Sequence, residues 1–296
     1  MSEQNMGTPG PMGQGPTKKI LESSPLSGIT VPIMIVLVGA LIIFGVTKML
    51  STGKDHRDLV EELNSKTFGN RWVAAYELSK FLAGQKIPKE DMPWVIENLS
   101  QVYRETVDAR TRNFVVLALG SLNNPLSLPV LNQALEDEDP QVKFNAVTSL
   151  GNMNQGSNIE WNKVEALLQQ EQDIGLRQVA LLTMAAHKHP NTQDKALPLL
   201  NSSEKNLRHA AAIVLISTKN KEAIPVLEEI MNLKYDVAQA GQLNGAQVEG
   251  LKLNALENLE KSKWNELANL VQKVEAEDTN VRVSTKAKQV LKVLKN

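Results

Sequence analysis

The sequence predicts an all-α fold: a solenoid of about seven helix pairs preceded by a single transmembrane helix. Three observations carry this. One uncharged apolar run lies near the N-terminus, apolar residues recur at helical spacing from about Asp55 onward, and a self-similar segment returns every 31 to 34 residues. The chain divides accordingly into a tail over 1–28, a membrane helix over 29–49 and a solenoid over 55–296.

The tail contains Met6–Pro16, with four Gly and three Pro in eleven residues and nothing to bury. Ile29–Thr47 follows, without a charge and almost without a polar side chain. At the helical rise this stretch spans about 28 Å, close to the hydrocarbon thickness of a bilayer. Pro32 falls in its first turn, where a missing N–H costs nothing. A buried core helix normally shows polar residues on one face, and a signal peptide has a shorter apolar region with a small-residue cleavage site. Here the run is followed by Lys48-Met-Leu-Ser-Thr-Gly53, so an uncleaved anchor is expected. Lys18 and Lys19 before the span nearly balance Lys48, Lys54 and Arg57 after it. A short N-terminal tail with a long exported domain is the commoner arrangement, so the solenoid is expected on the exterior or periplasmic side.

Composition narrows the function classes. With no cysteine, thiolate catalysis, disulfides, Cys-ligated zinc and iron–sulfur clusters are excluded. A net charge of −1 argues against a nucleic-acid clamp, and 4% aromatic residues suit helix packing better than a base-stacking platform.

The repeat is clearest in Asp139-Pro-Gln-Val-Lys143-Phe-Asn-Ala146-Val-Thr-Ser-Leu150-Gly151. It matches the segment from Asp108, 31 residues earlier, and those from Asp173 and Glu204. Weaker copies surround Arg71, Leu251–Leu259 and Asp278. Seven segments share a basic column: Arg71, Arg112, Lys143, Arg177, Arg208, Lys252 and Arg282. A small-residue column runs from Ala74 to Thr285, and a leucine column runs from Leu78 through Leu259 and fails at Gln289, as a capping repeat requires. The opening acid is expected to be an N-cap, and the basic residue to reach an acidic cap in an adjacent repeat. Leu128-Pro129, Leu197-Pro198 and Ile224-Pro225 mark the partner helices, opened or kinked by proline.

The pattern Asp-x-x-Val-Arg/Lys-x-x-Ala-x-x-x-Leu-Gly, followed by Pro-Val-Leu-x-x-Ala-Leu, resembles HEAT repeats of the short bacterial, PBS-lyase-like type. The resemblance covers roughly 240 residues and implies a protein-binding scaffold. The apolar run Ile29 to Thr47 adds the expectation of a single-pass protein of the cell (inner) membrane, with membrane-associated protein partners and the bilayer itself as its contacts. Second-helix positions with no packing duty, namely Asn113, Asn145, Gln178 and His209, are the candidate protein contacts.

No catalytic, cofactor or metal residue is expected. Of the histidines His56, His187, His189 and His209, none sits in a His-Glu-x-x-His motif, and the His-Glu dipeptides of HEAT-like di-iron enzymes are absent. The basic column is expected to serve packing, and Lys288 and Lys292 with their neighbours to complement a helix C-terminus. Asn232–Gly250 is an insertion expected to form a surface loop. The alternative function is an accessory subunit of a larger membrane complex, held through its transmembrane helix.

Overall fold

The computed structural model describes residues 54–65, 71–84, 87–170, 172–235 and 243–295. The expected tail and membrane helix lie outside the described residues. No helix among the described residues is long and apolar enough to cross a membrane.

Among the described residues fourteen α-helices follow one another, paired as first and second helices of seven repeats. The pairs are α1 (His56–Asn64) with α2 (Arg71–Gly84), α3 (Met92–Glu105) with α4 (Ala109–Ser121), and α5 (Leu128–Gln133) with α6 (Pro140–Gly151). Next come α7 (Trp161–Gln170) with α8 (Ile174–Ala186), and α9 (Thr192–Ala196) with α10 (Lys205–Leu215). The last are α11 (Ile224–Met231) with α12 (Gly245–Ser262), and α13 (Ala268–Glu277) with α14 (Val281–Leu294). Asp55–Asn296 forms one unit, in which α2, α4, α6, α8 and α10 stack side by side as one layer against the first helices.

Local chemistry sets the boundaries. The Asp139 carboxylate accepts from the N–H groups of Gln141 and Val142, and Asp108 and Asp173 accept from Thr111 and Leu176. Two expected starts are corrected. Glu204 makes no side-chain cap bond, its chain being one methylene too long for the turn, and the last helix is capped by Asn280 rather than Asp278. Proline punctuates the first helices as expected: Pro129, Pro198 and Pro225 each sit in an opening turn, after short 3-10 or α-helical pieces. The missing N–H and fixed φ divide these helices into short segments.

The core is built from the two apolar columns. Leu78, Leu119, Leu150, Met184, Leu215 and Leu259 are all fully buried, as are Ala74, Val115, Ala146, Ala180, Ala211 and Ala255. Truncating one such leucine to alanine costs about 3 kcal/mol through lost burial and the cavity left behind. The glycine that follows the leucine has a distinct reason. A Cβ on Gly120 would lie 2.1 Å from Ser149 Oγ, and one on Gly151 2.8 Å from Thr183 Oγ1. Consecutive second helices therefore touch main chain to side chain at these points.

Candidate protein-binding face

Close stacking of the second helices leaves one side of their layer to solvent, and the period of 3.6 fixes which residues point there. On α2 these are Val73, Tyr76 and Lys80; on α4, Arg110, Asn113, Phe114 and Leu117. On α6 they are Gln141, Phe144 and Thr148, and on α8, Gln178, Val179 and Leu182. Tyr76 is 39% and Leu182 38% exposed, high for residues this large on a repeat layer.

Aromatic side chains gather at the α2 end. The Tyr76 and Phe114 rings meet edge to face, with centroids 5.1 Å apart. Lys80 Nζ stands 5.1 Å from the Tyr76 centroid, and the Arg110 guanidinium 5.3 Å from that of Trp72. Amides lie beside them: Asn145 donates through Nδ2 to Asn113 Oδ1, and Gln141 Nε2 approaches Asn145 Oδ1 at 3.4 Å. No acidic residue occupies these outward positions on α2, α4, α6 or α8.

Two of the four sequence-derived contact residues, Asn113 and Gln178, open onto this face, whereas Asn145 is buried at its edge, contrary to the expectation that it has no packing duty. Asn113 and Gln178 are half-buried; Asn145 is nearly covered, joined to Asn113 across the repeat boundary. His209 is a correction. It is 1% exposed, and its Nε2 lies 3.0 Å from Glu229 Oε1, so it has a packing duty and no surface to present. Ala210 and Ile213 beside it are buried too; Glu229 of α11 meets His209, and α12, the longest described helix, packs mainly against the 3-10 turn that follows α10.

The basic column is buried or half-buried from Arg71 to Lys252 and exposed at Arg282, and its partners differ from the expected ones. Four arginines donate to main-chain carbonyls in the last turn of their own first helix or in the linker just after it. Arg71 reaches Leu63 O, Arg112 reaches Val107 O, Arg177 reaches Leu168 O and Arg208 reaches Ser202 O. Cations at that end complement the helix dipole. Where an acid is met, it is not the N-cap. Arg112 forks onto Asp137 at 2.8 and 3.0 Å, and Lys252 meets Asp278 at 2.7 Å; each acid stands two residues before a cap and accepts from the cap's own N–H.

A tyrosine completes both of these buried groups: Tyr103 Oη donates to Asp137 at 2.7 Å and Tyr235 Oη to Asp278 at 2.8 Å. Burial pushes the Asp137 carboxyl up, and the Arg112 fork, the Asp139 N–H and Tyr103 together bring it below the usual carboxylate range. Asp278 behaves the same way with Lys252, Asn280 and Tyr235. The signal for these groups is the Asp-x-Asp/Asn spacing of Asp137 with Asp139 and Asp278 with Asn280, which the cap columns had obscured.

The remaining histidines do not converge. His187 and His189 flank the Trp161 ring, with centroids 5.3 and 4.7 Å away, and His187 Nε2 lies 2.8 Å from Leu150 O. Among the described residues no group of three His, Asp or Glu is placed to hold a metal ion. In the C-terminal lysine cluster, Lys286 pairs with Glu260, Arg282 with Glu249, and Lys295 meets Gln272. A cavity of about 330 Å³ lies beside Tyr235, Lys252 and Asp278, lined by Leu270, Lys273 and Val274.

Comparison with known proteins agrees with this architecture. The family model of HEAT repeats matches residues 96–161 and 161–242. No curated protein matches the sequence. The fold is similar to that of YibA of E. coli, at TM-score 0.55 and 17% identity over 82% of this chain and 83% of that one. It is also similar to the CpcE–CpcF complex of the phycocyanin lyase from Nostoc sp. PCC7120, at TM-score 0.52 and 16% identity over 81% and 94%. Kap95p, bound to RanGDP, gives TM-score 0.51 and 13% identity over 86% of this chain and 38% of its own. The class is an all-helical repeat solenoid. Residues 96–242 are similar to HEAT repeats.

Proposed function

We propose that this chain is a scaffold, anchored in the cell membrane by Ile29–Thr47, that binds a membrane-associated protein through the exposed side of α2, α4, α6 and α8. The supporting observation is the apolar and amide-rich character of that face, centred on the Tyr76–Phe114 pair and Leu182. Side chains of these types form the energetic centres of protein interfaces, while isolated surface charges contribute little. HEAT-like repeats typically mediate protein–protein interaction, and stacked repeats give long continuous surfaces suited to it. The lyase activity of the Nostoc complex is not carried over, since a likeness at 16% identity speaks for fold alone.

Anchoring confines the solenoid to two dimensions and raises its effective concentration beside membrane partners. The flanking charges nearly tie, and the commoner arrangement of a short N-terminal tail with a long exported domain makes the exterior or periplasmic side the proposed side. The scaffold takes no catalytic part.

The test is affinity capture of the full-length chain from a mild-detergent extract, comparing wild type with the Tyr76→Ala/Leu182→Asp double variant. Circular dichroism melting confirms that both are folded. A discrete partner retained by wild type and lost by the variant is the expected result; partners retained equally by both contradict the assignment of the face. Exchanging Ile29–Thr47 for an unrelated span leaves capture intact for a scaffold, and abolishes it for an accessory subunit held through its membrane helix.

A further inference from the structure

We infer that the cavity beside Tyr235, Lys252 and Asp278 binds a small aliphatic monocarboxylate, with its carboxylate on Lys252 Nζ and its chain among Met231, Leu233, Leu270 and Val274. The site is built by α11, α12, α13 and the segments that follow α11 and α13; it takes nothing from the face on α2, α4, α6 and α8.

Two buried groups of the same make occur in the chain, and they differ in how far they are satisfied. Arg112, grouped with Asp137 and Tyr103, is saturated. Its guanidinium has five N–H donors. Two go to Asp137, one to Glu138, and one each to Thr106 O and Val107 O. Lys252, grouped with Asp278 and Tyr235, is not saturated. Its side chain is buried, and its ammonium has three donors. One goes to Asp278 Oδ2 at 2.7 Å, and the Tyr235 ring covers another side with its centroid 4.6 Å away. Asp278 already accepts from Lys252, Tyr235 and the Asn280 N–H. What the group has left to offer is therefore a buried donor.

The difference originates in where the helix starts. Arg112 stands four residues after its N-cap Asp108, so the carbonyls of Thr106 and Val107 lie in the linker and can turn to it. Lys252 stands eight residues after its N-cap Asn244. One extra turn of α12 places the carbonyls at the same spacing, those of Ala246 and Gln247, inside the helix, where they bond its own N–H groups. A buried ammonium deprived of those carbonyls calls for another acceptor.

The cavity that Lys252 helps to line supplies the place for one. Its volume of about 330 Å³ is the space of about ten water-sized groups. Met231 and Val274 are buried and Leu233 and Leu270 half-buried in its walls, which makes its body aliphatic. Its charged lining is Lys234, Lys252 and Lys273 against Glu277 and Asp278, leaving one positive charge in excess. A single carboxylate on an alkyl chain of about eight carbons satisfies donor, charge and volume together. A dianionic phosphate would exceed that charge and meet Glu277, and an aliphatic amine would bring a second cation to a buried ammonium.

The experiment is isothermal titration of octanoate into the full-length chain in phosphatidylcholine nanodiscs, with empty nanodiscs subtracting what enters the lipid. 1-Octanol and octylamine, of the same chain length, test the head group. Octanoate is expected to fill one site and to bind at least about tenfold more tightly than 1-octanol, the difference made by one charge-assisted hydrogen bond. Octylamine should show no saturable binding. Two variants address the donor. Lys252→Arg keeps the ion pair and can fork onto Asp278 as Arg112 does onto Asp137, which spends its donors within the group. Lys252→Met/Asp278→Asn removes both charges at once, so that neither is stranded. Circular dichroism melting identifies the folded chains, and each folded variant should bind octanoate at least about tenfold more weakly than wild type.

Absence of saturable octanoate binding, equal binding of octanoate and 1-octanol, or saturable binding of octylamine overturns the inference. Unaltered octanoate affinity in the folded Lys252→Arg chain overturns it as well. The wild-type comparison of the three head groups decides the matter even where a variant fails to fold.

Discussion

Arg112 and Asp137 are both nearly sealed from solvent, with side chains 9% and 4% exposed. Two charges so placed contribute modestly as a pair but strongly when one is left alone. Arg112→Ala is expected to destabilise the solenoid by about 3 kcal/mol in urea unfolding, because it strands the Asp137 carboxylate. Lys163→Ala, which removes a half-exposed pair with Glu136, should cost less than about 1 kcal/mol.

The Arg208–Glu229–His209 group predicts the response to acid. The Arg208 fork, aided by His209, holds the Glu229 carboxyl down at about 2, against an ordinary 4.5. A depressed folded-state value means that its contribution is complete above pH 4.5 and disappears as the pH falls toward 2. Burial lowers the His209 imidazole, so protonation of that ring also weighs against the folded state in acid. Melting temperature should therefore fall steadily below neutral pH. Glu229→Gln should lower it at pH 7 and flatten the part of the profile between about 4.5 and about 2. An unaltered acid limb in that variant would remove Glu229 from the account.

At the scale of helices, the contacts between second helices govern the register of the stack. Gly120→Ala drives a methyl into Ser149 and should cost about 2 kcal/mol by thermal unfolding, partly recovered when Ser149→Gly is added. Gly250→Ala in α12, where a Cβ meets nothing within 4 Å, should instead stabilise by about 0.5 kcal/mol. These columns were legible in the sequence because each repeat places the same residue type at the same helical phase, as Leu119, Leu150 and Met184 show. Cross-repeat polar groups were not. The Tyr103–Asp137 bond joins residues 34 apart, and nothing in either local segment names its partner. His209 was misread for a related reason. Its column is half-exposed at Asn113 and Gln178, and the bond to Glu229 joins residues 20 apart that no repeat column pairs.

Over the whole molecule, repeats that contact only their neighbours make stability a near sum of local and interface terms. Binding is spread along the layer in the same way. The proposed anchor adds a topological prediction: in spheroplasts, protease added outside should degrade the part from residue 55 to residue 296, and degradation only after permeabilisation would contradict the proposed exterior side. The assignment of the second-helix face is tested most directly by a photo-crosslinking residue introduced singly at Tyr76, Leu117 or Leu182, and for comparison at Gln101 or Glu228 on exposed sides of first helices. In native membranes the first three positions are expected to give one discrete adduct with the same partner, and the other two none. Adducts from Gln101 or Glu228, with none from Tyr76, Leu117 or Leu182, would contradict the account.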